Sequence, residues 1–244
     1  MRTRTLIGLM FCALFSVSAP AFAQSTHTQP VLNTAQAATD ITIPEGTTQV
    51  FDAATGEIKF DGVLTNKGTI IIRSSNPAQT EAILSASKVV NEGKIVSEIE
   101  TLTIKTESVF GVGGEVTAPE NIAIIAADKD LMIANGTYRA KFFRPSAERK
   151  LSINARRIDA QVDLKAYELS IGVREGNLDI IQQKVDGDPI YYNRGGDITA
   201  VMPGNGFDIY VLAAGNVNLS GVNAIGLNGE VRDFVVSAGC EFSR

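Results

Sequence analysis

Hydrophobic and polar residues alternate in short runs along most of the chain, and no run carries a sustained helical period. The runs include GTIIIRS, AILSAS, GKIVS, ETLTIKT, NIAIIAA, KLSINA, YELSIGV and DIYVLAA, with Gly, Asn, Asp and Pro recurring between them along the chain. Alternation over four to eight residues between turn-forming residues predicts strands, so the chain reads as all-β from Ile41 onward. A large apolar residue, any residue, then Ile recurs at Leu102/Ile104, Leu131/Ile133, Leu151/Ile153, Leu169/Ile171, Leu178/Ile180 and Phe207/Ile209. Successive side chains in a strand point to opposite faces, so each unit sends two apolar groups inward. The two LSI copies lie 18 residues apart, and the units at Leu131 and Leu151 lie 20 apart.

A second unit, Asn-x-Gly-x-Ile, appears as Asn66, Gly68, Ile70 and again as Asn91, Gly93, Ile95. It suits a bulged hairpin or the corner of a stacked coil. A repeat near 20 residues favours the coil, because stacking is how such units bury a hydrophobic face. Scarce aromatics, no Trp and abundant small residues between the units point the same way. The predicted fold is a right-handed parallel β-helix, with Ile70 and Ile72 inward and Ile71 outward. The alternative is a β-sandwich or jelly roll; an outer-membrane barrel would need longer strands and aromatic girdles.

The LTNKGTI, VVNEGKI and AGNVNLSG stretches resemble the coils of filamentous-haemagglutinin-type exoproteins. That resemblance implies a right-handed parallel β-helix, export and a role in adhesion. The family's Asn-Pro-Asn-Gly motif is not present; SSNPAQ at 74–79 is the nearest stretch.

The N-terminus supports export. Arg2 and Arg4 precede an apolar run, 6–17, and then SAPAFA with small residues at Ala21 and Ala23. This three-part pattern predicts a signal peptide over 1–23, cleaved after Ala23. Residues 24–40 are polar and small and read as a flexible N-terminal segment, leaving 41–244 as one all-β domain. The expected location is extracellular, cell-surface or periplasmic. No later run is apolar and long enough to predict a transmembrane helix.

Without the leader the chain has 20 basic and 27 acidic residues, a net charge of −7, which argues against nucleic-acid binding. Cys240 alone remains of the two cysteines, so no intrachain disulfide is expected. The single histidine, His27, lies in the polar segment, which disfavours imidazole-dependent catalysis and common zinc sites. No metal, cofactor or catalytic residue is assigned.

The candidate ligand-binding residues lie in 138–157, YRAKFFRPSAERKLSINARR: Arg139, Lys141, Phe142, Phe143, Arg144, Arg149, Lys150, Arg156 and Arg157. Seven cations stand there against one acid, Glu148, in an acidic chain. Pro145 and Ser146 predict that part of the segment loops out. Adjacent Phe142 and Phe143 are expected to face opposite ways. One reading is contact with an acidic polysaccharide or an anionic surface partner; the other is a solvated loop of paired charges.

Two alternatives accompany a structural or adhesive module. Asp159 and Asp163, four apart, would serve a polysaccharide lyase or glycoside hydrolase if they shared a face. VDGDP at 185–189 has calcium-like oxygen ligands but reads as a turn. A subunit of a surface polymer is the other alternative. Open coil ends permit self-association, and 41–60 and 233–244 are the expected caps.

Overall fold

A computed structural model describes residues 40–107, 109–110, 113–126, 130–202, 208–220 and 234–243. The leader, most of the 24–40 segment with His27, and Phe207 lie outside these residues. Among the described residues there is no helix, and every strand pairing is parallel. The fold is a parallel β-helix, not a sandwich built from hairpins.

The strands form three stacks. The first is ten strands deep, from Ile41–Ile43 through Val63–Asn66, Lys88–Asn91 and Asp130–Ala134 down to Ile209–Ala213 and Phe234–Ala238. The second begins with Thr48–Asp52, Thr69–Arg73 and Lys94–Ser97. The third begins with Glu57–Lys59, Glu81–Ser85 and Thr101–Thr106. Further along, the corners tighten until one strand, Lys150–Ala166, turns through all three stacks without a break.

Stacked Φ-x-Ile units build the interior. Leu131, Leu151 and Leu169 are register partners, as are Ile133, Ile153 and Ile171, so three successive units lie directly on one another. Leu102/Ile104 serve the third stack instead. There an inward ladder runs Leu102–Ile122–Phe143–Val162–Ile180–Ala200, and all six side chains are buried. Burial at every rung gives the chain a continuous apolar axis, the main favourable contribution to folding.

The Asn-x-Gly units are corners between the first and second stacks. Asn66 and Asn91 are register partners and both are buried. Asn66 Nδ2 donates to Asn91 Oδ1 at 2.7 Å and to the Lys94 carbonyl at 2.9 Å; Asn91 Nδ2 donates to the Glu115 carbonyl at 3.2 Å. These bonds satisfy the buried amide donors, which would otherwise destabilise the fold, while Asn66 Oδ1 is buried without a partner among the described residues. Beside this ladder, N–H groups of Lys94, Glu115, Thr137 and Arg156 donate to the carbonyls of Gly68, Gly93, Gly114 and Gly136 at 2.8–2.9 Å. Ile70 and Ile95 follow as inward partners, and Ile71 faces outward. The first segment expected as a cap is itself a coil, with Gln49 in the inward position above Ile70.

Two large phenols lie inside the coil. Tyr138 and Tyr191 are fully buried, and burial pushes both hydroxyls above their ordinary value, although Tyr191 Oη donates to Gln183 Oε1 at 2.7 Å. The folded state therefore favours the neutral phenols. Their contribution is fully present below about pH 10, where the unfolded chain's tyrosines ionise, and is lost as pH rises above it. The expected result is an unfolding free energy from urea titration that falls from pH 9 to 11, with a slope approaching about 1.4 kcal/mol per pH unit for each phenol. Tyr191→Phe should flatten that fall; an unchanged slope would contradict the assignment.

Candidate functional site

Register places the basic segment. Tyr138 pairs with Ile158, 20 residues on, so 138–157 is one whole coil. A 20-residue segment wrapped once around the axis sends its cations to every side. The structure therefore distributes the candidate residues around the circumference. Pro145 and Ser146 do not loop out: they belong to the strand Thr137–Ser146, and only Ala147–Arg149 separate it from the next strand. Proline's fixed φ fits extended backbone, and Pro145 takes a buried inward position level with Ile124.

Acids from the coils above and below meet most of these cations. Arg139 contacts Glu115 Oε1 at 2.8 Å and Asp159 Oδ2 at 3.2 Å, while Arg157 shares Asp159 at 2.6 Å. Lys141 reaches Glu120 at 3.2 Å. Arg144 donates to Asn121 Oδ1 at 2.8 Å and lies 3.4 Å from Asp163. Arg149 grips Asp130 with two donors, which holds that carboxyl below its ordinary range. Arg156 uses Nε and Nη2 on Thr137 Oγ1, at 3.0 and 2.8 Å. Lys150 borders a groove of 530 Å³ beside Tyr167, Glu168, Asp186 and Asp188. Exposed pairs like these add little stability one by one. Running from coil to coil, they favour this register over its slips.

Only one group of candidates converges on a surface. Phe143 points inward, buried, with its ring 4.7 Å from that of Tyr138. Phe142 points outward and is half-buried. Arg144 Cζ and Lys141 Nζ lie 4.9 and 5.6 Å from the Phe142 ring centroid. An aromatic face with two cations within about 6 Å is held by cation–π attraction. It presents an apolar plane edged by positive charge on a rigid strand.

The other motifs serve the scaffold. Asp159 belongs to the second stack and Asp163 to the third, so they do not form a shared carboxylate pair on one face. In VDGDP, Asp188 Oδ1 accepts the Asp208 N–H at 3.0 Å, a link to the next coil. No group of three or more His, Cys, Asp or Glu suited to a metal occurs among the described residues. The stretch 193–198, NRGGDI, is a corner: buried Asn193 donates to the carbonyls of Gly176 and Asp197 at 2.9 and 2.7 Å and accepts the Gly195 N–H at 2.8 Å. Cys240 is a free, exposed thiol.

One feature escaped the sequence reading. Ala155 pairs with Val173 and Val173 with Asn193, which puts the next residues, Arg156, Arg174 and Arg194, in a single row along one corner. Their spacings of 18 and 20 are those of the stacked apolar units, and that shared period is the signal that would have found them.

No protein-family model, no curated protein and no solved structure matches the chain.

Proposed function

We propose that this chain is an exported, surface-associated β-helix module with a structural or adhesive role, and that it contacts an acidic polysaccharide or an anionic surface partner at Phe142. The observation that carries this reading is the outward Phe142 ring flanked by Lys141 and Arg144 on an uninterrupted strand. The apolar ring face suits the C–H face of a sugar, and the flanking cations suit its carboxylate or sulfate. A rigid scaffold lowers the entropic cost of binding. The leader pattern at 1–23 and the resemblance to filamentous-haemagglutinin-type coils support export and adhesion.

A scaffold is favoured over a lyase or hydrolase because Asp159 and Asp163 stand in different stacks, each engaged by arginine. The test is calorimetric titration with heparin and with polygalacturonate, each at two salt concentrations. Phe142→Ala and Arg144→Ala should each weaken binding about tenfold, or about 1.4 kcal/mol. Affinity should also fall as salt rises. Equal affinity in both variants would remove this surface from the function.

A further inference from the structure

The outer face of the first stack differs from the other two. Where they carry charge ladders, this face carries two outward rows of six residues each with no charged side chain. One row runs Met132–Ser152–Ser170–Ile190–Tyr210–Val235. The other runs from Ala134 through Asn154, Gly172, Tyr192 and Leu212 to Ser237. Within them Met132 is 51% exposed, Ile190 40%, Leu212 48% and Val235 46%. Ile190, Leu212 and Val235 lie on consecutive rungs with Tyr192 and Tyr210 between them, and such a contiguous apolar patch marks an interaction surface rather than scattered surface residues. The Tyr192 ring lies over Gly172, where a Cβ would come within 1.9 Å of it, so the ring spreads its apolar surface across the neighbouring rung.

Its two edges carry opposite charge. Glu168, Asp188 and Asp208 stand at the edge where the strands enter. Arg174 and Arg194 stand at the edge where they leave, near enough to Tyr192 to act on its hydroxyl. Lys150, on the acidic edge, lies between its register partners Asp130 and Glu168, which offset its charge.

We propose that this face pairs with a second copy of the chain, about a two-fold axis parallel to the coil axis. That operation reverses strand direction and keeps the coil level. It therefore sets Glu168 against the second copy's Arg174, and Asp188 against its Arg194, with the uncharged rows between. A two-fold perpendicular to the coil axis and parallel to the strands would set acid against acid. The same patch meets itself, as a two-fold interface requires. Six rungs at about 4.8 Å and five residues at about 3.3 Å each give a face of roughly 480 Å² on each copy. With its charged edges this lies at the small end of specific interfaces, the size class of weak, transient pairing. This face is not the one that carries Phe142, so either reading can fail alone.

The test is sedimentation velocity on the mature chain, from micromolar to submillimolar concentration. The wild type should dimerise. Glu168→Lys and Arg174→Glu should each raise the dimer Kd about tenfold or more, as losing a close interfacial charge pair does. The two changes together in one chain should restore the wild-type Kd. Leu212→Arg should leave only monomer, with far-UV circular dichroism unchanged as the check on folding. A wild type that stays monomeric overturns the proposal. So does a dimer indifferent to the single reversals, or a double variant that stays weak.

Discussion

Gly93→Ala is expected to destabilise the chain by about 3 kcal/mol or more, the range reserved for steric conflicts with fixed backbone. The residue stands at the corner between the first and second stacks. A Cβ there would lie 2.0 Å from the Gly68 carbonyl oxygen and within 3 Å of two neighbouring backbone carbons. None of these atoms can rotate away. The same carbonyl accepts the Lys94 N–H, so relieving the clash would pull apart the hydrogen bond that joins the coils. Gly68 and Gly114 are also confined: an added Cβ would lie 2.4 Å from the Pro44 and Thr47 carbonyl oxygens at Gly68, and 2.4 Å from the Gly93 carbonyl oxygen at Gly114. Gly46 is the control. Its φ of +73° disfavours alanine, but nothing lies within 4 Å of an added Cβ. Gly46→Ala should therefore cost only about 1 kcal/mol, the cost of the left-handed backbone alone. Urea unfolding followed by circular dichroism separates the two. Similar losses at both sites would mean that the corner is looser than described.

The second large effect concerns neighbours that point opposite ways. Phe143→Ala should cost about 3–5 kcal/mol, the range for deleting a buried aromatic side chain. It removes a ring between Ile122 and Val162 in the inward ladder and strips the stacking partner from Tyr138. Rungs above and below are held by their own backbone hydrogen bonds, so the gap cannot close by collapse. Phe142→Ala, one residue earlier and outward, should cost about 1 kcal/mol or less. A denaturant midpoint for each variant decides this. Equal losses would contradict the inward and outward assignments of the strand.

Apolar periodicity made the fold legible. Asn66 and Asn91 read as equivalent corners because Asn-x-Gly before alternating Ile demands a turn into a half-buried strand, and they stand hydrogen-bonded to each other. Leu131, Leu151 and Leu169 recur 20 and 18 residues apart because each coil must bury the same inward position. Charge was not legible in the same way. The cations of 138–157 look unpaired along the chain because their acids, Glu115, Glu120, Asp130 and Asp163, lie within the neighbouring coils. In a coil, residues close in sequence spread around the circumference, and residues one period apart become neighbours. A run of seven cations is therefore a girdle, whereas three arginines at intervals of 18 and 20 are a row. The loop expected at Pro145 failed for a related reason: a strand rich in partners above and below tolerates one missing N–H.

In-register stacking one period apart underlies all of these assignments, and a cysteine trap measures it directly. Ser152 and Ser170 are outward register partners on adjacent strands. Adjacent strands bring Cα atoms to about 5 Å, within the range a disulfide can bridge. In a chain with Cys12 and Cys240 replaced by serine, Ser152→Cys with Ser170→Cys should form an intrachain disulfide under mild oxidation. A non-reducing peptide map of the monomer would show the link. Two cysteines that stay reduced, or that join only between chains, would contradict the coil.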